Sequence, residues 1–312
     1  MPPWVVKAAV QGVLSRLPRA QRWNRVLQTY VTRSLFLSDD AFLSKWRQAR
    51  KHLEHYRMAH GSRTPRRALE LGTGWAPVVP IGLALDGVPD VRTVDMQPLL
   101  SKQLTLRVLE QYRRQIAAGA VAPADPRAGQ RIGELLAAAP SSDAHGLLAR
   151  IGVDVSVGDA RASALPNGSV DLFVSNNTLE HIAPDVIREI LSEFRRLAAG
   201  DAVGSHFIDM ADHYAGFDRR ITVYNFLRYS DRRWRLYNND LQFQNRLRLS
   251  EFRSLHRRTG WQIVHEESRD QPVEVLRRVP LAERFRRYDE NDLRVFESWI
   301  VSRPLGSQPA GG

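Results

Sequence analysis

The stretch Ala68-Leu69-Glu70-Leu71-Gly72-Thr73-Gly74 decides how the fold is interpreted. Its short apolar run predicts a buried strand, and its two glycines predict an abrupt turn where that strand ends. Glycine accepts positive φ values and lets the backbone come close to a ligand. A nicotinamide-binding turn would have a third glycine at position 77, where this sequence has Pro77. The stretch alone therefore predicts a tight strand-to-helix turn, which ligand sites and ordinary turns both use.

Short β-like runs alternate with helical patterns on the C-terminal side of residue 62. Predicted strands lie at 68–71, 91–95, 153–157, 170–175, 202–210, 261–266 and 293–301. One predicted helix begins near Pro184 and has Gly200 as the residue after its end, and another covers 250–259. Residues 98–150 contain two helical patterns around a break rich in Ala, Pro and Gly. The alternation predicts a doubly wound, mostly parallel sheet.

Polar residues follow three of these strands directly. Asp95 ends the second strand, Gly158-Asp159-Ala160 ends the third, and Asn176, Asn177 and Thr178-Leu179-Glu180-His181-Ile182 follow the fourth. Open α/β sheets bind ligands at the carboxyl ends of their strands. A carboxylate at this edge can accept hydrogen bonds from ribose hydroxyls or from an adenine amino group.

The ordered set of motifs resembles the class I S-adenosylmethionine-dependent methyltransferases. The resemblance covers residues 67–210, and residues 250–304 fit the closing helix and reversed last strand of that family. It implies an α/β, Rossmann-like, seven-stranded doubly wound sheet with a reversed last strand, N-terminal helices and a helical insertion after strand five. It also implies S-adenosyl-L-methionine as the cofactor.

Carried over position by position, the resemblance implies that Glu70, Gly72 and Gly74 surround the methionine part of the cofactor and that Asp95 holds its ribose. Asp159 and Ala160 would flank the adenine, with Asn176 and Asn177 near the sulfonium. Thr73 and Met96 complete the predicted cofactor-binding set. Turn formation is the alternative role for Asp159, Asn176 and Asn177.

The predicted organisation has five parts: an N-terminal helical extension at 1–62, the cofactor-binding core at 63–210, a substrate-side insertion at 211–247, the C-terminal part of the core at 248–304 and a disordered tail at 305–312.

Methylation of a hydroxyl requires a base as well as alignment of the acceptor with the methyl group. His206, with Asp209 nearby on the predicted fifth strand, and His181 are the candidates. The alternative is that His206 is a hydrogen-bonded core residue and Asp209 a turn residue. Quinone-pathway methyltransferases use an acidic residue three positions before the Glu-His pair to bind a metal. Here Asn177 occupies that position, and we predict no metal.

The insertion at 211–247 is rich in aromatic, Asn and Arg residues. Such side chains suit a polyhydroxylated or anionic ligand. The predicted substrate-binding residues are His213, Tyr214, Tyr224, Asn225, Asn245 and Arg246. The segment 206–246 is also similar to uncharacterised bacterial methyltransferases associated with surface-glycan assembly, which suggests a small-molecule, saccharide or lipid-linked acceptor. The alternative is a cap with its own small aromatic core.

The net charge of +11 suits an anionic partner, but only four of the 45 basic residues are lysine, and such an arginine excess often follows genomic base composition. A nucleic-acid methyltransferase is the rival enzyme. It is disfavoured because the fourth-strand motif lacks the prolines and the aromatic residue typical of base amine methylation, and because the chain has no cysteine for attack on a pyrimidine. A noncatalytic binding protein on the same fold is the rival outside enzymes.

The N-terminal segment 4–17 predicts an amphipathic helix accompanied by basic residues. It would either pack on the protein or touch a membrane surface. We found no signal peptide or spanning segment, so the expected location is cytoplasmic, with contact at the inner membrane face as the second reading.

Overall fold

The structure is a computed structural model that describes residues 3–16 and 37–306. Residues 17–36 of the predicted N-terminal extension and most of the predicted tail lie outside the described residues. No helix within the described ranges is long and apolar enough to cross a bilayer.

Seven strands form one sheet in the order β3-β2-β1-β4-β5-β7-β6. The strands are β1 (Arg67–Leu71), β2 (Asp90–Asp95), β3 (Val153–Val157), β4 (Val170–Asn176), β5 (Ala198–Asp209), β6 (Trp261–Asp270) and β7 (Val295–Pro304). Strands β1 to β5 pair in parallel, whereas β7 runs antiparallel to both β5 and β6. The predicted Rossmann-like α/β sheet with a reversed last strand is confirmed.

Helices cover both faces of the sheet. They are α1 (Trp4–Leu14), α2 (Asp39–His60), α3 (Val78–Leu85), α4 (Lys102–Ala117), α5 (Ala128–Ala138), α6 (Ala144–Ala149), α7 (Pro184–Leu197), α8 (Asp231–Trp234), α9 (Leu249–Arg258), α10 (Val273–Arg277) and α11 (Glu290–Arg294). Helices α2 to α5 share one core with Leu172 and Val174, and α7 and α9 share another with Phe173. This division follows from the alternation of side chains along β4.

A third, aromatic core lies beside the sheet. It joins α1 to the 211–247 segment and to residues 276–296. Trp4 is buried there, 5.1 Å from Tyr214 and 4.8 Å from Tyr237 between ring centroids, and its backbone amide donates to Asp218 Oδ2 over 3.0 Å. Helix α1 thus packs on the insertion through Trp4 and Ala8. Val10 and Val13 of the same helix are exposed, although the sequence predicts it to be amphipathic.

Three local predictions differ from the structure. Helix α7 ends at Leu197, and the chain passes directly into β5, so Gly200 lies within the strand and is not the residue after the helix. Residues 98–150 form α4, α5 and α6 rather than two helices. The insertion contains α8 and two 3-10 turns at His213–Gly216 and Asn225–Arg228, because its frequent turn residues prevent longer helices.

Candidate functional site

The glycine turn has the backbone that the sequence predicts. Gly72 and Gly74 have φ values of 86° and 64°. A Cβ atom on Gly72 would lie 2.5 Å from Thr178 Oγ1, which donates to the Leu71 carbonyl at 3.2 Å. The Thr73 hydroxyl is hydrogen bonded to Thr93 on β2. Close approach of the segment after β4 therefore requires glycine at position 72, and the left-handed backbone favours it at both positions.

Asp95 is fixed against this turn. Its Oδ2 accepts from the Gly74 amide at 3.0 Å and its Oδ1 from the Gln97 amide at 2.9 Å. A carboxylate has about four acceptor positions, so two remain for ligand hydroxyls. Met96, the next residue, is exposed at the same strand end. The geometry fits the predicted role of Asp95 in holding a ribose.

The end of β3 lies beside the end of β2. The Gly158 amide donates to the Asp95 carbonyl at 2.9 Å, and Ala160 is buried. The Asp159 carboxylate receives the Arg161 guanidinium through bonds of 2.6–2.9 Å, which lower the pKa of Asp159 to about 2. Asp159 is therefore an ionised acceptor already held by Arg161.

The residues after β4 come next to β1. Asn177 has a φ of 48°, and its amide donates to the Phe207 carbonyl at 3.0 Å. Asn176 Oδ1 accepts from His52 Nε2 on α2 at 3.1 Å, and Asn176 Nδ2 is buried without a hydrogen-bond partner among the described residues. Asn177 thus serves a turn, whereas Asn176 retains a free amide donor.

Two buried carboxylates lie at this edge. Glu70 and Glu180 are 3% and 2% exposed. Glu70 Oε2 and both carboxylate oxygens of Glu180 have no hydrogen-bond partner within the described part of the chain. Burial raises the pKa of Glu70 to about 8 and that of Glu180 well above its usual range, whereas the nearby Lys45 lowers both. Buried carboxylates without partners are costly, so this region suits a cationic ligand.

His181, His213 and Asp209 meet near the end of β5. The ring centroids of His181 and His213 are 4.9 Å apart, and His213 Nε2 lies 3.3 Å from Asp209 Oδ2. His181 Nδ1 donates to the Phe243 carbonyl at 2.6 Å, which leaves its Nε2 as the acceptor nitrogen. Burial and the nearby His213 lower the pKa of His181 to about 4. His181 is therefore neutral at physiological pH.

A cavity of about 620 Å³ opens beside these groups, with Asp209 and His213 in its wall. The residues that complete its lining are Ala211, Asp212, Ala215, Gly216, Ile221, Thr222, Val223, Gln271 and Val275. The ligand atoms of Glu180, His181 and His213 also lie within 4.8 Å of one another, a spacing that a metal ion could bridge.

The hypothesis that His206 is the base conflicts with its position. His206 is 1% exposed, its Nδ1 lies 2.9 Å from Ser175 Oγ, and its ring packs between Phe194 and His256 on the α7 and α9 side of the sheet. Burial lowers its pKa well below the usual range. A base must come within hydrogen-bond reach of its substrate, which this packing prevents.

Five of the six predicted substrate-binding side chains have structural roles. The Tyr214 and Tyr224 hydroxyls donate to the Tyr237 and Arg294 carbonyls. Asn225 Nδ2 donates to Asp212, and Asn245 Nδ2 to the Leu179 and Ile182 carbonyls. Arg246 has a φ of 59° and donates to the carbonyls of Phe226 and Tyr229. All five are buried, so a role in contacting substrate conflicts with the structure; only His213 lines the cavity.

The sequence analysis did not identify three residues that lie at or near this site. Lys45 and His52 reach the site from α2, a helix of the predicted N-terminal extension for which the sequence analysis named no site residue. Their separation of seven residues places them on one face, which was the available signal. Arg248 is fully buried, and its guanidinium donates to the Met210 carbonyl at 2.7 Å, which joins the end of β5 to α9. No sequence pattern distinguishes it from the many other arginines.

Comparison with known proteins gives one family match. Residues 124–203 match the family model described as a methyltransferase domain. The matched segment contains Asp159, Asn176 and Glu180 and begins after the glycine turn. No curated protein matched the chain.

Solved structures with a similar arrangement share little sequence with the chain. A SAM-dependent methyltransferase from Methanosarcina mazei has a TM-score of 0.42 at 12% identity, covering 80% of this chain and 96% of that chain. A putative sarcosine dimethylglycine methyltransferase from Galdieria sulphuraria has a TM-score of 0.44 at 13% identity, with 83% and 86% covered. Geranyl diphosphate C-methyltransferase from Streptomyces coelicolor, solved with Mg2+, geranyl-S-thiolodiphosphate and S-adenosyl-L-homocysteine, has a TM-score of 0.45 at 11% identity, with 83% and 76% covered.

Proposed function

We propose that the chain is an S-adenosylmethionine-dependent methyltransferase. The observation that carries the proposal is the linked geometry of the Gly72–Gly74 turn and Asp95, with Glu70 Oε2, which has no hydrogen-bond partner among the described residues, on the same strand as the turn. The match of residues 124–203 to the methyltransferase-domain model also supports the proposal. These residues include β3 and β4, whose carboxyl ends lie at the same edge of the sheet as the glycine turn.

The cofactor is a cation with an amino group, a ribose and an adenine, and each has a suitable partner at this edge. Glu70 would face the amino group, Asp95 the ribose hydroxyls and the segment 158–160 the adenine. A cationic group would also relieve the cost of burying Glu70 and Glu180, because opposite charges favour the ionised form of a carboxylate. The cofactor supplies an electrophilic methyl group, and the protein aligns an acceptor with it.

We further propose O-methylation of a hydroxylated small molecule, saccharide or lipid-linked acceptor in the cavity beside Asp209 and His213. His213 would accept the hydroxyl proton as the acceptor oxygen bonds to the methyl carbon and the carbon–sulfur bond breaks. The Asp209 carboxylate, whose Oδ2 lies 3.3 Å from His213 Nε2, would stabilise the imidazolium that forms. Its ring lies in the cavity wall, which distinguishes it from the buried His206. His181 would hold the opposite side of His213 in place.

The test is a screen of glycans, lipid-linked intermediates, small hydroxylated compounds and RNA with methyl-labelled cofactor, followed by His213→Ala and Asp209→Asn with the best acceptor. Loss of a positioned base typically lowers turnover by about 10²–10⁴-fold. Turnover within a few-fold of wild type in both variants would contradict the assignment of His213 as the base. Labelling of RNA alone would contradict the proposed class of acceptor.

A further inference from the structure

A second cluster of metal-ligating side chains lies away from the cavity, between α2 and the edge strand β6. The donor atoms of His55, His265 and Glu267 lie within 4.8 Å of one another. His55 Nε2 is 3.9 Å from Glu267 Oε1, and His265 Nε2 is 2.9 Å from the same oxygen. Tetrahedral zinc with bonds of 2.0–2.1 Å places its ligand atoms roughly 3.3 Å apart, between these two distances.

A hydrogen-bonded chain sets the tautomer of His55. Asn176 Oδ1 can only accept, so His52 Nε2 donates to it over 3.1 Å and His52 Nδ1 accepts the Ser205 hydroxyl proton over 2.8 Å. Ser205 has one proton, and its oxygen therefore accepts from His55 Nδ1 over 2.8 Å. The remaining nitrogen, His55 Nε2, then carries a lone pair.

The lone pair of His55 Nε2 has no hydrogen-bond partner among the described residues. His55 is 1% exposed, and its Nε2 is among the buried atoms without one. Burial of a bare acceptor is costly unless a donor or a cation meets it. The ring nitrogen points toward Glu267 and His265, which are partly exposed and leave a path to solvent.

We propose that His55, His265 and Glu267 form a binding site for a divalent transition-metal ion of the zinc type. Two imidazole nitrogens and one carboxylate oxygen are a donor set that zinc accepts, with water in the fourth position. Ser205 is the outer partner that orients His55, as metal-bound histidines usually require. The sequence predicted no metal, because no local spacing connects residue 55 to residues 265 and 267.

The ion would tie α2 to the edge of the sheet. Helix α2 carries Lys45 and His52 into the cofactor edge, so the site would hold that helix in the position from which both residues act. Lys51 Nζ now lies 2.8 Å from Glu267 Oε1 and competes with a metal for this oxygen.

The experiment is calorimetric titration of untagged, chelator-treated full-length protein with Zn2+, repeated on His265→Ala and Glu267→Gln. Both positions are partly exposed, and circular dichroism would verify that the variants fold. We expect affinity to fall by roughly a hundredfold in each and by roughly tenfold in Ser205→Ala. We expect Lys51→Met to bind more tightly than wild type.

Two control variants make the result specific. His145→Ala removes an exposed histidine on α6, and His213→Ala disables the other possible metal cluster beside the cavity. Both should retain the His55 site. Loss of binding in His213→Ala but not in His265→Ala would overturn the proposal, as would a wild-type protein that does not bind Zn2+. Neither result bears on cofactor binding, so this inference fails independently of the proposed function.

Discussion

The Asp95 carboxylate accepts a hydrogen bond from the Gly74 amide at 3.0 Å, and this contact joins the ends of β1 and β2. It holds the acidic residue beside the glycine turn through a contact within the protein itself. A site that is already ordered in this way lowers the entropic cost of ligand binding.

The conformation of Gly72 should matter for stability. Gly72→Ala puts a Cβ at a φ of 86° and 2.5 Å from Thr178 Oγ1. We expect the free energy of unfolding to fall by about 2–3 kcal/mol through backbone strain and displacement of Thr178. Gly133→Ala is the matched control, since Gly133 lies in α5 with open space around it; it should gain about 0.5–1 kcal/mol. Urea unfolding measures both, and equal stability of Gly72→Ala and wild type would contradict the proposed packing.

Glu70 should make the ligand-free protein less stable as pH rises. Its pKa is about 8 in the folded state because of burial, against an ordinary value of 4.5. Between these values the folded state binds more protons than the unfolded state, so the free energy of unfolding falls with pH, and the effect is complete above pH 8. The contribution approaches about 1.4 kcal/mol per pH unit. In denaturation measured from pH 5 to 8, Glu70→Gln should remove the part of this slope that Glu70 contributes, while Glu180, whose pKa burial also raises, keeps its own part. A slope equal to that of wild type would contradict the prediction.

His206 should act in packing rather than in chemistry. His206→Ala removes the contact with Ser175 and leaves a cavity between Phe194 and His256. We expect a loss of about 2–3 kcal/mol of unfolding free energy. Methyl transfer at 20 °C should remain within a few-fold of wild type once an acceptor is known. A folded variant whose turnover falls by a factor of a hundred would restore His206 as a catalytic candidate.

Arg246 should stabilise the cap formed by the insertion. Its guanidinium satisfies the Phe226 and Tyr229 carbonyls and pairs with Asp231. Arg246→Ala leaves the Tyr229 carbonyl without its guanidinium donor and the Phe226 carbonyl with only the Tyr229 amide at 3.3 Å, and we expect a loss of about 3 kcal/mol. Arg233→Ala, at an exposed position on α8, is the control and should change stability by less than about 0.5 kcal/mol. Weaker acceptor binding with unchanged stability would show that Arg246 contacts substrate.

The residues at the carboxyl ends of the parallel strands, where we propose that the cofactor binds, were more predictable from the sequence than those of the 211–247 insertion, and the reason is physical. Residues at strand ends, such as Asp95 and Asn176, are placed by the sheet itself, so their order along the chain fixes their neighbours. Tyr224 and Arg246 lie in an irregular segment, where composition does not reveal whether a side chain points inward or toward a ligand. The positions of Lys45 and His55 depend on how α2 packs across the sheet. That packing is set by contacts between segments far apart in the sequence, which local patterns do not reveal. For the same reason, the sequence did not reveal that the His206 side chain packs in the core, and His206 was predicted as a candidate base.

The measurement that tests the central claim most directly is calorimetric titration of wild type, Asp95→Ala and Asp154→Ala with S-adenosylmethionine and S-adenosylhomocysteine. Asp154 is an exposed acid near the amino end of β3 that pairs with Arg92, so it controls for a general loss of charge. We predict that wild type and Asp154→Ala bind both ligands, and that Asp95→Ala binds them at least roughly tenfold more weakly, as loss of charge-assisted hydrogen bonds implies. Folded wild-type protein that binds neither ligand, or an Asp95→Ala variant that binds them as tightly as wild type, would contradict the account.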